Sequence, residues 1–430
     1  MTSLGIAALV FFILLMMGMP ITFVLGVTAT LAFLLEQNLI FLSLIPQRMF
    51  AGLNLFTIMA IPFFLFAAEL MSASKITDDL VDFADALVGR LKGGLAHVNV
   101  IASAFFAGIS GSAISDVAGL GSIEIKAMTQ AGYPKPFATA LTVASSLIGP
   151  IIPPSIIMVL YGSIMQVSIA AMFLGGILPG IIMISILMTY ITIIADKRGF
   201  PRRVEKLKPS EILRSGRNAV LALFLPVIIL GGILSGIFTA TEAAAVAVAY
   251  AFIVGFVIKQ SIKVVDFFPI LERVCVLTAV VFMVLATANI LAWIIGLERL
   301  PEAISNWLIS ITRDPLLLFL LVNLLLIFIG MFMDIGAAVI VLAPILGPTM
   351  IEAGIHPVHF GIVMSINLLI GLTTPPVGPC LFVAAGITGL RMEVISKALL
   401  PFYLLQVLFL LLITYFPALT LSLPKYFGYI

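Results

Sequence analysis

Apolar stretches recur along the chain at the length that a helix needs to cross a bilayer, about 20 residues. Six of them each predict one membrane helix: 50–72, 168–195, 218–236, 240–258, 274–296 and 395–422. The apolar stretch 4–35 is too long for one upright helix and is interrupted at Gly18-Met19-Pro20, so we predict two short crossings there. Residues 75–92 and 298–312 are amphipathic, which predicts helices lying along the membrane interface.

Residues 93–165 do not have the pattern of ordinary spans. An apolar segment, 93–107, leads into the polar sequence 108–116, and an apolar return continues toward Gln130. This order predicts a helical hairpin that enters and leaves the membrane on one side. The next apolar stretch, 137–162, is interrupted by 149–154 (Gly-Pro-Ile-Ile-Pro-Pro). Because proline removes an amide donor and obstructs the preceding turn, we predict a broken helix.

Residues 314–388 repeat this order. At a constant offset of 222, Gly108 falls on Gly330, Gly149 on Gly371, and Pro153-Pro154 on Pro375-Pro376. The alignment predicts an internal repeat, with Asp334 at a second hairpin tip and a second broken helix near Thr373. If each hairpin returns to its own side and every other span crosses once, ten crossings result and the two repeats face the membrane in opposite directions. The predicted fold is an all-α polytopic membrane protein with an inverted repeat.

Composition supports a membrane protein: 62% of the 430 residues are apolar and only 10% are charged. Soluble proteins have about 45–50% apolar and 25% charged residues, so a water-soluble globule is excluded. Residues 196–217 carry eight Lys or Arg. Placing this loop in the cytoplasm puts 18 basic residues inside and 4 outside, and both termini outside. The loop itself is interpreted as a topology anchor beside anionic lipid.

Broken helices in hydrocarbon are tolerated only against protein or a hydrated cavity, so they mark a site. Paired interrupted helices in inverted repeats are typical of secondary transporters with a binding site near the membrane midplane. Oxygen ligands preferred by hard cations are available there from Ser110, Ser112, Thr373, Thr374 and Asp334.

Asp116 and Asp334 are the outstanding acidic residues at membrane depth, and such residues indicate function by default. The alternative for both is helix capping within the hairpins. For Glu242, a simple N-terminal cap and a functional role are equally open. Glu69 and Glu124 are expected near inner helix ends, reaching water or basic partners.

These residues resemble one family over essentially the whole chain: the large membrane subunit of tripartite ATP-independent periplasmic (TRAP) transporters, the DctM/SiaM-like group. The most specific passages are residues 231–245, the 330–386 repeat with its Asp334 and Thr-Pro-Pro-Val-Gly, and the 108–116 tip. Proline is more usual in the family where this chain has Ala240.

The resemblance implies sodium-coupled uptake of a carboxylate delivered by a periplasmic substrate-binding protein (P type), with a small membrane subunit (Q type) bracing the large one in the bacterial inner membrane. Sialic acid is the favoured substrate and a C4-dicarboxylate the next. The bound coupling ion would be Na⁺, with no organic cofactor, no other metal and no nucleic-acid partner.

The resemblance also implies an elevator fold of the ion-transporter superfamily and a set of site residues. One sodium site would use Ser110, Ser112, Gly149, Ile152 and Pro154, and its pseudo-symmetric partner Asp334, Gly371, Thr373, Thr374 and Pro376. Roles in substrate contact or coupling would fall to Asp116, Ser115, Pro153 and Pro375.

The predicted organisation has six parts. Residues 1–92 form the scaffold and interfacial helix of repeat 1, 93–165 its transport-domain hairpin and broken helix, and 166–217 its last span and the basic loop. Residues 218–313 form the scaffold and interfacial helix of repeat 2, 314–390 its transport-domain hairpin and broken helix, and 391–430 the final span.

Three alternatives remain open. A self-sufficient sodium/carboxylate symporter of related fold would need neither partner protein, and a passive channel would not accumulate substrate. A membrane prenyl-transferring enzyme is suggested by the DDxxD pattern at 78–82, but a single acidic cluster is a weak signal and a solvated helix face explains it.

Overall fold

The computed structural model describes residues 3–35, 39–201, 209–299, 303, 312 and 314–430, and their regular structure is helical throughout. Five α-helices precede the first hairpin: α1 Ser3–Met16, α2 Ile21–Leu35, α3 Leu39–Leu53, α4 Ala60–Ala73 and α5 Ile76–Val88. Repeat 1 continues with α6 Gly94–Ser110, α7 Ala113–Ala118, α8 Leu120–Gln130, α9 Lys135–Ser145, α10 Ile148–Ile151, α11 Ile156–Met165 and α12 Ile169–Arg198.

The second half has the same order of elements. Its described helices are α13 Pro209–Leu234, α14 Ala240–Phe252, α15 Val264–Leu297, α16 Pro315–Gly330, α17 Ile335–Glu352, α18 Pro357–Leu372, α19 Pro379–Thr388, α20 Met392–Tyr415 and α21 Ala418–Tyr426. A 3₁₀ turn, Phe56–Met59, precedes α4, and a π-helical segment, Ile253–Ile258, extends α14.

Seven helical segments in the described chain are long and apolar enough to cross a membrane, so the chain is a multi-pass membrane protein. Six of these segments correspond to the six predicted spans, although their ends differ. The predicted span 50–72 starts too early, because residues 50–53 belong to α3 and the chain leaves helical geometry before Phe56. The predicted span 395–422 runs too far, because its helix ends at Tyr415, just before Pro417. The seventh is α17, the return arm of the second hairpin, so apolar length alone does not distinguish a crossing from a hairpin arm.

The apolar stretch 4–35 forms two helices, α1 and α2, which pack against each other. Gly18 adopts a φ of +77° between them, and Pro20 precedes α2. Helices of 14 and 15 residues are about 21–23 Å long, shorter than the roughly 30 Å hydrocarbon layer. Two crossings here therefore stay a prediction.

Helix α3 was not predicted, because Gln47 and Arg48 interrupt its apolar pattern. In the fold, Arg48 lies 4.4 Å above the ring of Trp293.

The first amphipathic segment is confirmed as a helix, α5. Its apolar face, with Ile76 and Leu80, is buried against α6 and α13, while Asp78 and Asp82 are exposed. The second amphipathic segment, 298–312, lies almost entirely outside the described residues.

The repeat predicted from the sequence is present in the fold. In each half a hairpin (α6 with α7–α8, or α16 with α17) is followed by a broken helix (α9–α11, or α18–α19). The turn after each hairpin has the same form, with Gly132 at φ +98° and Gly354 at φ +84°. Tyr133 and Ile355 then donate their amides to Met128 and Met350, each at 3.0 Å. These pairs keep the offset of 222.

The helices that precede the hairpin in each half pack on one another. Helix α4 packs on α14, and α15 packs on α2, α3 and α4. The hairpins also pack on the broken helices: α6 and α8 on α9, and α16 and α17 on α18.

Candidate functional site

The first break is set by two prolines that remove backbone donors. In a continuous helix the amides of residues 153 and 154 would donate to the carbonyls of Gly149 and Pro150, but proline has no N–H. The α-helix ends at Ile151, Ile152 is extended, and α11 resumes at Ile156, with a bend of 42° across the break. The Gly149 carbonyl thus loses its helical donor.

The tip of the first hairpin lies directly against this break. Gly111 has a φ of +55°, and a Cβ there would lie 2.7 Å from the carbonyl oxygen of Pro154, so the close approach requires glycine. A Cβ on Gly149 would lie 3.8 Å from the carbonyl oxygen of Ser112. The five predicted ligands of the first sodium site therefore fall in one region where tip and break meet, and Pro153 lies buried within it.

The second break is also caused by two consecutive prolines, but its hydroxyl groups come from threonines in the break itself. Pro375 and Pro376 remove the donors for the carbonyls of Gly371 and Leu372. The side chains of Thr373 and Thr374 donate to the carbonyl of Ile370, at 2.9 and 2.7 Å. Since these hydroxyl hydrogens point back to Ile370, the oxygen lone pairs remain available to a cation.

The second hairpin tip also contacts its break. Asp334 caps α17 by accepting a hydrogen bond from the amide of Gly336 at 2.9 Å, and its side chain is otherwise exposed. A Cβ on Gly371 would lie 2.6 Å from Cα of Gly330, so two backbones touch here. The amide of Gly378 donates to the carbonyl of Met331 at 3.3 Å.

The two tip-and-break pairs adjoin each other. Helix α19, which follows the second break, packs on α7 at the first tip, and α10 packs on α18. The predicted ligands from both repeats are thus brought to one part of the molecule. They are hydroxyls, backbone carbonyls and one carboxylate, the donor set that suits a hard monovalent or divalent cation.

A known family matches this arrangement of sequence and fold. The model for the DctM component of tripartite ATP-independent periplasmic transporters matches residues 8–419. The chain belongs to this DctM family. Family members are transporter components, so the chain is a transporter permease and not an enzyme.

Curated relatives agree with the family assignment along nearly the full chain. The chain is 40% identical to the sialic acid TRAP transporter large permease SiaM of Vibrio cholerae, over 97% of each chain. It is 38% identical to the C4-dicarboxylate large permease DctM of Pseudomonas aeruginosa, over 89% of each. It is also 38% identical to the isethionate permease DctMQ of Oleidesulfovibrio alaskensis, over 97% of this chain and 65% of that one.

A solved structure has a similar fold. The YdaH transporter of Alcanivorax borkumensis superposes with a TM-score of 0.62 at 16% identity, covering 88% of each chain. At this identity the likeness shows the fold alone.

The acidic residues singled out from the sequence have different surroundings. The capping interpretation is confirmed for Asp334 and also for Glu242, which forms a capping box with Thr239. It is wrong for Asp116, because Ser112 caps α7 instead, by accepting from the amide of Ser115 at 3.4 Å. Asp116 is 2% exposed, and neither of its carboxylate oxygens has a hydrogen-bond partner in the described chain. Ser115 is exposed on the same helix.

The expectation for Glu124 is wrong. Glu124 does not reach water or a basic residue; its side chain is 4% exposed and accepts a hydrogen bond from the amide of Asn99. By contrast Glu69, as expected, has a basic partner, Arg273, whose Nε donates at 3.1 Å.

The acidic cluster that suggested an enzyme lies on α5, apart from both breaks. Burial, followed by the charges of Asp79, Asp78 and Asp85, raises the pKa of Asp82. Asp79 accepts a hydrogen bond from the ammonium of Lys259, which fits a structural ion pair at the end of α14.

Two residues that contact the site or its support were missed from the sequence. Tyr403 on α20 donates its hydroxyl to the carbonyl of Thr373, and Asn99 joins α6 to α8 and α9. The partners lie in segments distant along the chain, and no local pattern in the sequence indicates such pairs.

Proposed function

We propose that this chain is the large permease of a sodium-coupled uptake system for a carboxylate that a periplasmic substrate-binding protein delivers. The observation that supports it is the pairing of each hairpin tip with a proline-broken helix, twice, with the two pairs adjoining. Carbonyls that have lost their helical donors, together with oriented hydroxyls, are suited to binding Na⁺ at such breaks, while helix N-termini and amides favour an anion.

Sodium and substrate would bind cooperatively. Each ion would hold one tip against one break, at Ser110, Ser112 and the 149–154 carbonyls in repeat 1, and at Asp334, Thr374 and the 371–376 carbonyls in repeat 2. The completed pocket would then take the anion, with Asp116 and Ser115 beside it. Coupling requires the fully loaded or empty protein to change state more readily than the partly loaded one.

The moving part would be the hairpins and broken helices, 93–165 and 314–390, sliding as an elevator against the scaffold formed by 1–92 and 218–313. The packing of hairpins on broken helices, and of α4 on α14, supports this division.

The system would work in the bacterial inner membrane with both termini periplasmic and the basic loop 196–217 cytoplasmic. A small membrane subunit and the substrate-binding protein would be its partners. The tripartite nature of the family supports this assembly.

For the substrate we favour sialic acid, with C4-dicarboxylates next. The 40% identity to a sialic acid permease and the 38% identity to a dicarboxylate permease support that order. Uptake of each compound, with a sulfonate for comparison, would decide the class.

The test is uptake into proteoliposomes that contain both membrane subunits and the binding protein. Asp334→Asn and Ser112→Ala should each raise the sodium concentration for half-maximal uptake and lower its apparent cooperativity. Ser122→Ala is the matched control, since Ser122 is an exposed serine on α8 whose hydroxyl donates to the carbonyl of Gly119 at 2.9 Å. Sodium dependence unchanged in both site variants would refute the assigned ligands.

The alternatives are tested in the same vesicles. Accumulation above the external concentration excludes a passive channel. Uptake by this chain without the binding protein or the small subunit would favour the self-sufficient symporter instead.

A further inference from the structure

A buried carboxyl group lies in the middle of the first hairpin, in a position that the proposed sodium sites do not use. Glu124 on α8 is 4% exposed. One of its oxygens accepts from the Asn99 amide on α6, and the other, Oε1, has no partner in the described chain. A charged carboxylate is costly in such a place unless it is paired, so the group should be neutralised.

Asn99 connects this carboxyl group to neighbouring helices. Its amide also donates to the hydroxyl of Thr142 on α9, at 2.8 Å. Its oxygen accepts from the hydroxyl of Ser145 at 2.9 Å, and Ser103 donates to Ser145 at 3.0 Å. A hydrogen-bonded chain of polar side chains thus joins the first hairpin to α9 within an otherwise apolar core.

The second repeat shows that the fold does not need this carboxyl group. At the offset of 222, Glu124 falls on Leu346, which is 1% exposed, and Thr142 falls on Met364, which is fully buried. Hairpin 2 therefore packs with apolar residues where hairpin 1 places an acid and a hydroxyl. The fold shared by the two repeats therefore does not itself require an acid at this position.

No basic group in the described chain forms a salt bridge with Glu124. The helices packed on α8 are α6, α7, α9 and α19. None of the basic groups on these helices or on α8 itself pairs with Glu124: the His97 ring pairs with Thr192, Lys135 donates to the Thr388 carbonyl at 2.6 Å, and Lys126 is exposed. The other titratable groups are Asp116 and Cys380, which are both buried. Since Asp116 is another acid, it increases the need to neutralise Glu124.

We propose that Glu124 is a proton-binding site in the first hairpin, separate from the sodium ligands. The carboxyl group takes a proton from water at the open end of the hairpin and is neutral in the packing seen here. Raising the pH through its titration removes that proton and places a charge in the interior, which destabilises this packing. The proton site adds to the proposed function, but it does not depend on which residues bind sodium.

The direct test is infrared spectroscopy of the reconstituted protein as a function of pH, without substrate and with Asp116→Asn as the background of every variant, because buried Asp116 would otherwise contribute a carboxyl band of its own. A C=O stretching band of a protonated carboxyl group should be lost as the pH rises. The band should be missing in Glu124→Gln and in Glu124→Leu, the latter placing in hairpin 1 the residue that hairpin 2 has. Glu393→Gln, which changes an exposed acid at the start of α20, should retain the band.

Three results would overturn the proposal. They are a band that persists in Glu124→Gln, a band insensitive to pH over the range in which the protein stays folded, and a band that sodium removes at constant pH. The last would make Glu124 a cation ligand.

Uptake gives a second readout. Wild-type uptake should fall as the pH rises on the side to which the hairpin opens, whereas Glu124→Gln should have a flat profile over that range. A purely structural role would lower uptake at every pH and leave the shape of the profile unchanged.

Discussion

At the scale of single residues, the direction of a hydroxyl hydrogen decides whether its oxygen can bind a cation. Thr374 donates to the Ile370 carbonyl at 2.7 Å, and so presents its lone pairs to the second break. Valine has nearly the shape of threonine without the oxygen, and serine keeps the oxygen without the methyl group. These two substitutions separate the ligand from the packing.

We predict that Thr374→Val raises the sodium concentration for half-maximal uptake about 10- to 100-fold, since an interaction with a charged group contributes about 1.5–3 kcal/mol. Thr374→Ser should stay within about threefold of wild type by the same scale. Sodium titrations of uptake in proteoliposomes measure both. Equal shifts in the two variants would show that the methyl group matters and the hydroxyl does not.

At the scale of elements, the meeting of tip and break depends on glycine. A Cβ on Gly371 would lie 2.6 Å from Cα of Gly330, and a backbone atom cannot turn aside as a flexible side chain can. Gly371→Ala should therefore separate the second tip from its break and destabilise the protein by about 1–3 kcal/mol, the usual effect of overpacking. Thermal unfolding in detergent measures this change.

Gly386→Ala is the matched control for this prediction. Gly386 lies in α19 with no heavy atom within 4 Å of an added Cβ. Alanine there should leave stability unchanged or raise it by up to about 1 kcal/mol, because glycine is the poorer helix former. Equal melting temperatures for the two variants would contradict a close contact between Gly330 and Gly371.

The breaks and hairpins could be predicted because their causes are local in the sequence. Prolines at 153–154 and 375–376 remove donors wherever the helix lies, and the apolar flanks set the helices on either side. The ends of the spans were less accurate, since turns such as that before Phe56 depend on packing. The surroundings of Glu124 could not be predicted, because its partner Asn99 is 25 residues away in the sequence. The two residues come into contact only when α6 packs on α8.

At the scale of the whole molecule, the two repeats share a backbone plan but differ in charge. Asp334 caps α17 at the second tip, whereas the equivalent of Asp334 in repeat 1 is Ser112. Asp116 and Glu124 lie in hairpin 1, where repeat 2 has Ala338 and Leu346. The fold is therefore symmetric while the candidate chemistry is not, which fits the proposal that one site binds a cation and another an anion.

The elevator proposal needs hairpin 1 to move relative to the scaffold, and α13 passes close to it. A Cβ on Gly108 of α6 would lie 3.1 Å from the Cβ of Pro226 in α13. Disulfides join Cβ atoms about 3.5–4.5 Å apart, so small adjustments would let Gly108→Cys and Pro226→Cys form a crosslink. Exposed Cys275 should first be replaced by serine, while buried Cys380 can stay.

We predict that oxidation of this double variant stops uptake, because the hairpin is tied to the scaffold in one state, and that reduction restores it. A Cβ on Gly108 would lie 2.3 Å from Cγ of Pro226, so the controls with one engineered cysteine are Pro226→Cys alone and Gly108→Cys combined with Pro226→Ala. Both should be active and insensitive to oxidant. Crosslink formation is measured by labelling of the free thiols, and uptake is measured in the same vesicles. Full uptake by crosslinked protein would mean that α6 and α13 move together, and the boundary between moving part and scaffold would then lie elsewhere than between 93–165 and 218–313.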